Sequence, residues 1–270
     1  MQHGGVTVGV DVGATLCKLV RVSSASADTA VHPAADIEAI RAAIRAWRPD
    51  RIGATGGGGD QLGARLDAIP VHHSDEFSAW GKGVGLVARR EQITLPAHHL
   101  VASVGTGTSI LAVRDGIAER VGGTPLGGGT IVGLGQLLAQ QGNFAELVAL
   151  AAAGDRRRVD LLIGDLHRTA PVPVLQDLSA SSFAKLASRT PADLTHAVIG
   201  MVGETVALMA GGLARGTGLD TIAYCGSTVH GNPPLRAILE QITTVFGHRP
   251  LFLDQGAFCG AFGAAAFAAG

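Results

Sequence analysis

Asp11 and Lys18 flank a short glycine-containing turn near the start of the sequence. The apolar run from Val6 to Val10 leads into Asp11, and a second apolar run, Leu19 to Val22, leads away from Lys18. Two short apolar runs around such a turn predict a β-hairpin whose turn faces solvent. A carboxylate oxygen is a ligand for Mg²⁺, and a lysine with backbone N–H groups can bind phosphate oxygens. The turn therefore carries the groups needed to hold a metal ion and a polyphosphate.

A second turn of the same kind lies within Leu100–Val113, where Gly105 to Ser109 separate two apolar runs. A single glycine-rich hairpin turn usually binds nothing. Two such turns, each near the start of one half of the chain, favour a pair of phosphate-binding turns. We expect an N-terminal α/β half over residues 1–95 and a C-terminal α/β half over residues 96–270.

Glu76 follows a predicted strand and opens a predicted helix, Phe77 to Arg89. A carboxylate at that position can act as a general base, or it can simply stabilise the N-terminus of the helix. The adjacent His72 and His73 have no third ligand at a suitable spacing, so a metal centre is not favoured there.

A glycine-rich segment, Gly127 to Gly129, leads into a predicted helix that continues through Leu138. Glycine loops that open a helix present N–H groups and the positive end of the helix dipole to anions. The spacing matches neither the P-loop nor the dinucleotide fingerprint. Nearby, Arg120 can pair with a substrate carboxylate or phosphate, or with Glu119 on the surface.

The composition narrows the class of protein. The chain has 270 residues, 47% hydrophobic and 16% charged, with 39 glycines, which indicates a compact α/β protein. A net charge of -1 gives no indication of nucleic acid or of an anionic membrane surface. Three widely spaced cysteines fit a reducing cytoplasm better than a disulfide framework. We find neither a signal peptide nor an uninterrupted membrane span, so we expect a cytoplasmic protein.

Local signals predict further elements. Ala35 to Trp47 has apolar residues at helical spacing, and Thr190 with Pro191 marks the start of a helix that runs to about Arg215. We also expect a helix to start at Leu178–Ser182, after the break at Pro171 and Pro173. The run Arg156–Arg158 is expected to be a solvated face. Further predicted elements are helices at 144–153 and 256–265 and strands at 221–225 and 249–253.

Taken in order, these segments resemble the type II pantothenate kinases over nearly the whole chain. The motifs are Asp11–Lys18, Thr55–Gly57, Glu76–Phe77, Val104–Ser109, Arg120–Gly123 with its glycine run, Gly226–Ser227 and Asp254–Ala261. Singly they are weak, but in this order and spacing they are specific. The resemblance implies an actin-like (ribonuclease H-like) duplicated α/β fold around a nucleotide cleft. It also implies a homodimer that phosphorylates pantothenate with ATP and Mg²⁺ at the start of coenzyme A synthesis.

The resemblance also implies roles for individual residues. Asp11 would hold Mg²⁺, Lys18 would contact the transferred phosphate, Glu76 would be the catalytic base and Arg120 would grip the acid. The nucleotide site would include Gly13, Thr15, Leu16, Lys18, Gly105, Thr106, Gly107, Thr108, Gly127, Gly128, Gly129, Phe144 and Ser227. The acid site would include Glu76, Ser103, Arg120 and Phe252, with Ser179 and Ala180 reaching it across the dimer.

Three residues depart from the family pattern. Ala14 stands where a second glycine is usual, which reduces the freedom of the first turn. Phe252 falls where a tyrosine of the last strand commonly reaches the acid, and Phe144 replaces an aromatic hydroxyl near the adenine site. The Phe252 departure leaves a kinase for pantetheine or another small hydroxy acid as an alternative. The other alternative is a catalytically silent nucleotide-binding regulator. The presence of both a base, Glu76, and a metal ligand, Asp11, argues against it.

Overall fold

The computed structural model describes residues 5–24, 26–166 and 176–270; the predicted break at Pro171 and Pro173 lies outside them. The strands are β1 (Thr7–Val12), β2 (Leu16–Val22), β3 (Ala27–Pro33), β4 (Arg51–Thr55), β5 (Arg65–Leu66), β6 (Ile69–His73), β7 (His98–Val104), β8 (Thr108–Arg114), β9 (Ile117–Thr124), β10 (Leu161–Leu162), β11 (Ser179–Ser181), β12 (Thr221–Cys225) and β13 (Arg249–Phe252). The helices are α1 (Ile37–Ala46), α2 (Glu76–Arg90), α3 (Gly128–Ala139), α4 (Phe144–Ala152), α5 (Ile163–Leu166), α6 (Pro191–Thr217), α7 (Pro233–Val245) and α8 (Cys259–Ala269).

The chain divides into two compact units that are not continuous in sequence. Unit 1 contains residues 1–101, 111–120 and 252–270, and unit 2 contains residues 102–110 and 121–251. The C-terminal segment therefore belongs with the N-terminal residues rather than with the expected half at 96–270. The reason is packing, because α8 lies against β1, β4 and α2.

Unit 1 is built on a six-stranded sheet with the order β3-β2-β1-β4-β6-β5. The predicted hairpin is confirmed, since β1 and β2 are antiparallel and pair Asp11 with Lys18. Helix α1 connects β3 to β4, which runs parallel to β1. Apolar residues of β1 and β4, with Ile40 and Ile44 of α1, form the core of this unit.

Helix α8 packs unusually close to this sheet because the strands carry glycine at the contact. A Cβ atom on Gly9 would lie 1.9 Å from the carbonyl oxygen of Ala261, and one on Gly53 would lie 2.0 Å from that of Ala264. No side chain fits in either place. The apolar, alanine- and glycine-rich sequence of α8 thus reflects a backbone-to-backbone contact, which brings the start of α8 beside Asp11 at the end of β1.

Unit 2 is organised around the 27-residue helix α6, against which α3, α4 and α7 pack. Its N-cap is Thr190, as predicted, but the helix continues to Thr217, and its C-cap is Gly218, whose φ of 70° lies in the left-handed region. The chain also contains a five-stranded sheet with the order β13-β12-β7-β8-β9. Among the described residues α6 is the one helix long and apolar enough to cross a membrane, but 67% of its apolar window is buried inside the protein.

Two local predictions are wrong. The segment that begins at Leu178 forms the short strand β11 instead of a helix, because side chains distant in sequence hold its backbone extended. The run Arg156–Arg158 is not wholly solvated. Arg156 is 8% exposed, since it is paired with buried carboxylates.

Candidate active site

Asp11 and Lys18 face each other at the end of the β1–β2 hairpin. They are cross-strand partners, and both are buried, with exposed fractions of 3% and 8%. Burial raises the pKa of the Asp11 carboxyl, and the nearby ammonium of Lys18 opposes that rise. The turn between them is closed by the Gly13 N–H, which donates to the Leu16 carbonyl oxygen at 3.1 Å. Thr15 is exposed in this turn.

Glycines and one indole surround the Asp11 carboxylate. A Cβ on Gly260 of α8 would lie 2.5 Å from Asp11 Oδ2, and one on Gly56 would lie 2.7 Å from Asp11 Oδ1. The same Gly260 position is 3.0 Å from the Nε1 atom of Trp80. The sequence motifs include both glycines, but the reason for them is visible only in the structure. Both positions need glycine because any Cβ atom would collide with the carboxylate.

The donor set fits Mg²⁺ better than a metal that needs a cage of protein ligands. In the described part of the chain, no group of three or more His, Cys, Asp or Glu side chains could hold a metal. Mg²⁺ is commonly held by one or two carboxylates together with substrate phosphates and water. The buried carboxylate of Asp11, in its glycine-lined space, is suited to that role.

Glu76 is the first residue of α2, but it does not cap the helix. Asp75 is the N-cap, since its side chain accepts a 2.9 Å hydrogen bond from the Ser78 N–H. The pKa of Glu76 is raised, chiefly by burial and then by the negative charges of Asp11 and Asp75, while Lys18 opposes the rise. A half-buried carboxylate with a raised pKa is suited to accept a proton near neutral pH. Glu76 also lies in the first turn of α2, where its charge can stabilise the helix N-terminus.

Arg120 lies in β9 and is exposed. The ion pairs found among the described residues include neither Arg120 nor Glu119. The surface pair with Glu119 is therefore absent from this part of the chain. An exposed guanidinium of this kind can bind an anion.

In unit 2 two segments distant in sequence contact the second glycine turn. The Gly105 N–H donates to the Gly107 carbonyl oxygen at 2.8 Å, which makes the turn tight. The Thr228 hydroxyl, which follows β12, donates to the Gly105 carbonyl oxygen at 2.8 Å. The Thr108 hydroxyl donates to the Leu126 carbonyl oxygen at 2.8 Å and so fixes the glycine loop beside the turn. Sequence reasoning missed Thr228, although it identified the small polar turn that contains it.

The glycine loop has a role that differs from the expected one. The N–H groups of Gly128 and Gly129 donate to the carbonyl oxygens of Gly105 and Thr106, at 2.8 and 3.0 Å. They are therefore engaged within the protein rather than directed at an anion. A Cβ on Gly127 would lie 2.7 Å from both of these oxygens. Glycine is needed here because two backbone segments touch.

The remaining predicted residues lie at element ends and are mostly half-buried. Phe144 begins α4, Ser227 follows β12, Ser103 lies in β7, and Phe252 ends β13. Ser179 begins β11 and is half-buried, and the adjacent Ala180 is exposed.

Sequence comparison identifies the family. The family model described as Fumble matches residues 35–267. The type II pantothenate kinase of Staphylococcus aureus strain USA300 is 34% identical over 262 residues, covering 95% of this chain and 97% of that protein. The enzyme of the same name from strain bovine RF122 / ET3-1 is 33% identical over the same lengths. The chain belongs to the type II pantothenate kinase family.

Solved structures confirm the predicted actin-like fold. Component A of (R)-2-hydroxyglutaryl-CoA dehydratase from Acidaminococcus fermentans superposes with a TM-score of 0.65 at 18% identity, covering 98% of this chain and 97% of that one. A ROK family glucokinase from Streptomyces griseus, in complex with glucose and AMPPNP, gives 0.58 at 13% identity, with coverage of 98% and 99%. At such identities the likeness concerns the fold alone.

The backbone at Ala14 does not require glycine. Ala14 is exposed, and it is not among the residues with positive φ. The turn therefore does not use the left-handed conformation for which glycine would be needed.

Proposed function

We propose that this family member transfers the γ-phosphoryl group of ATP to the 4′-hydroxyl of pantothenate, forming 4′-phosphopantothenate and ADP in the first step of coenzyme A synthesis. The observation that carries the proposal is the cluster of Asp11, Lys18 and Glu76 in unit 1. Asp11 and Lys18 are buried cross-strand partners, and both of their charges act on the pKa of the half-buried Glu76 carboxyl. The family relationship supports pantothenate as the acceptor.

Each residue of the cluster has a separate task in phosphoryl transfer. Asp11 would hold Mg²⁺, which when bound neutralises charge on the phosphates. Lys18 would stabilise the negative charge on the oxygens of the transferred group. Glu76 would orient the 4′-hydroxyl and accept its proton as the hydroxyl oxygen forms its bond to the γ-phosphorus. The bond from that phosphorus to the β-phosphate oxygen then breaks, and ADP leaves.

We assign nucleotide contacts in unit 2 to the turn at Gly105–Thr108, the segment at Gly127–Gly129 and Ser227. The backbone at Gly128 and Gly129 is engaged with the turn, so these glycines would shape the site instead of donating to phosphate. Gly13, Thr15 and Leu16 of the first turn would contact the phosphates. Phe144 would pack against the adenine, a role that needs no hydroxyl.

The acid would be held by Arg120, Ser103, Phe252 and the segment at Ser179 and Ala180, the last from the second subunit of a homodimer. An exposed guanidinium can form two hydrogen bonds with the pantothenate carboxylate. We expect the enzyme to act in the cytoplasm, where its substrates are found. Neither nucleic acid nor a membrane is needed for this chemistry.

Phe252 favours one alternative acceptor. Without a hydroxyl at this position, recognition of the carboxylate is weaker, and pantetheine, which carries an amide there, becomes a competing substrate. Since the two compounds share the 4′-hydroxyl end, Glu76 would serve both.

The test is ADP release with Mg-ATP and pantothenate, measured beside pantetheine and a control without acceptor. We expect turnover that depends on pantothenate and exceeds that with pantetheine. Turnover with pantetheine but not with pantothenate would mean that the protein is a kinase with a different acceptor. Binding of ATP without turnover on either compound would refute the proposed function.

A further inference from the structure

Three charged side chains form a buried cluster in unit 2, away from the Asp11 hairpin in sequence. Arg156 Nη1 donates to Glu204 Oε1 at 2.6 Å and lies 3.6 Å from Asp160 Oδ2. The side chains of Arg156, Glu204 and Asp160 are 9%, 8% and 0% exposed. One guanidinium thus serves two buried carboxylates. Such an arrangement is a poor source of stability, because burying charge is costly.

The cluster binds the backbone of one short segment, Asp177 to Phe183. Arg156 Nη2 donates to the Asp177 carbonyl oxygen at 2.8 Å. The Ser179 N–H donates to Glu204 Oε1 at 3.1 Å, and the Phe183 N–H donates to Asp160 Oδ1 at 2.9 Å. The Ser179 hydroxyl donates to Asp160 Oδ2 at 3.2 Å. Both hydrogen-bond donors of Ser179 are therefore used inside the protein.

The segment has little regular structure of its own and contains strained backbone. Its strand β11 has three residues and pairs with the two-residue β10. Phe183 has a φ of 61°, in a region that non-glycine residues rarely adopt. Such conformations persist when surrounding contacts over-determine them, and they concentrate at binding sites. The exposed residue beside the anchored Ser179 is Ala180.

We infer that Arg156, Asp160 and Glu204 are positioning residues that pre-organise the segment 177–183 for binding the pantothenate acceptor. Ser179 is an internal anchor, and Ala180 with its backbone provides the contact surface. This inference rests on the proposed function for the identity of the ligand. A segment held in its binding conformation before the ligand arrives avoids the entropy cost of ordering on binding.

The first experiment measures anchoring without any substrate. We expect faster amide hydrogen exchange across residues 177–183 in Glu204→Ala than in the wild type, with a smaller effect in Glu204→Gln, whose side-chain carbonyl still accepts the Ser179 N–H. The matched control is Arg158→Ala in the same turn, which removes the ion pair between the exposed Arg158 and the buried Asp193. Unchanged exchange in Glu204→Ala, or equal increases in Glu204→Ala and the control, would overturn the inference.

The second experiment measures the consequence for the acceptor. We expect Glu204→Ala to raise the pantothenate KM by about tenfold or more and to leave the ATP KM within about twofold, with partial rescue in Glu204→Gln. Ser179→Ala should raise the pantothenate KM alone, and its effect should not add to that of Glu204→Ala. If Glu204→Ala fails to fold, Ser179→Ala and Glu204→Gln carry the same comparison.

Two results would contradict this role. Lowered thermal stability with an unchanged pantothenate KM would make the cluster purely structural, and equal rises in both KM values would remove its link to the acceptor. Failure of the proposed function can be distinguished from failure of this positioning role. In that case the wild type would show no turnover with pantothenate, while the exchange experiment would still report on anchoring.

Discussion

Replacing Gly260 by alanine tests whether the activity depends on the present position of the Asp11 carboxylate. The new Cβ would lie 2.5 Å from Asp11 Oδ2 and 2.8 Å from its Cγ, and Cβ contacts under 3.0 Å are essentially never observed. The carboxylate must therefore move by at least about 0.5 Å, which is the tolerance of a pre-organised site. Mg²⁺ demands oxygen ligands at about 2.0–2.1 Å in near-octahedral geometry. We expect weaker activation by Mg²⁺ and a turnover that falls by about 10–100-fold.

The assay is a Mg²⁺ titration of ADP release, combined with thermal unfolding in the absence of the metal. Gly85→Ala is the matched control on α2, since its Cβ would meet nothing nearer than Arg89 Nη1 at 3.6 Å. That variant should retain activity and gain up to about 1 kcal/mol in the free energy of unfolding, as alanine favours helix. Normal turnover and a normal Mg²⁺ dependence in Gly260→Ala would refute the assignment of the metal to Asp11.

Glu76→Gln should lower turnover by about 10²–10⁴-fold while ATP binding survives; near-normal turnover would remove Glu76 as the base. The same variant should raise the melting temperature at pH 7–8. The folded-state pKa of Glu76 lies above its unfolded value, so the ionised carboxylate destabilises the fold above that pKa. The gain should disappear as the pH falls towards 4.5, the ordinary pKa of a glutamate, and a pH-independent gain would contradict the electrostatic explanation. In the wild type, turnover should decline as the pH falls through this raised pKa, and a rate insensitive to pH in the acidic range would count against a carboxylate base. Arg120→Ala should raise the pantothenate KM by about tenfold or more. An effect confined to the ATP KM would instead assign Arg120 to the nucleotide site.

The parts of the fold that the sequence predicts are those specified by neighbouring residues. The hairpin around Gly13 follows from two apolar runs and a turn, and the start of α6 follows from Thr190 and Pro191. In both cases the decisive hydrogen bonds join residues a few positions apart. The family resemblance, carried by seven short motifs, is confirmed by full-length relatives.

The parts that could not be predicted depend on partners distant in sequence. Arg156 looks like one of three surface arginines until Glu204, 48 residues away, is seen to bury it. The same distant carboxylate holds Ser179 extended, which is why a helix was wrongly expected there. The N–H groups of Gly128 and Gly129 resemble an anion site in sequence because their carbonyl partners lie more than 20 residues earlier. Local sequence patterns do not show which residues distant in the chain will pair.

The most direct test of the central claim is the identity and amount of the product, measured by mass spectrometry after incubation with Mg-ATP and pantothenate. We predict 4′-phosphopantothenate in a one-to-one ratio with ADP from the wild type, and a loss of both together in Glu76→Gln. ADP formed without phosphorylated pantothenate, or phosphorylation that persists undiminished without the Glu76 carboxylate, would contradict the account.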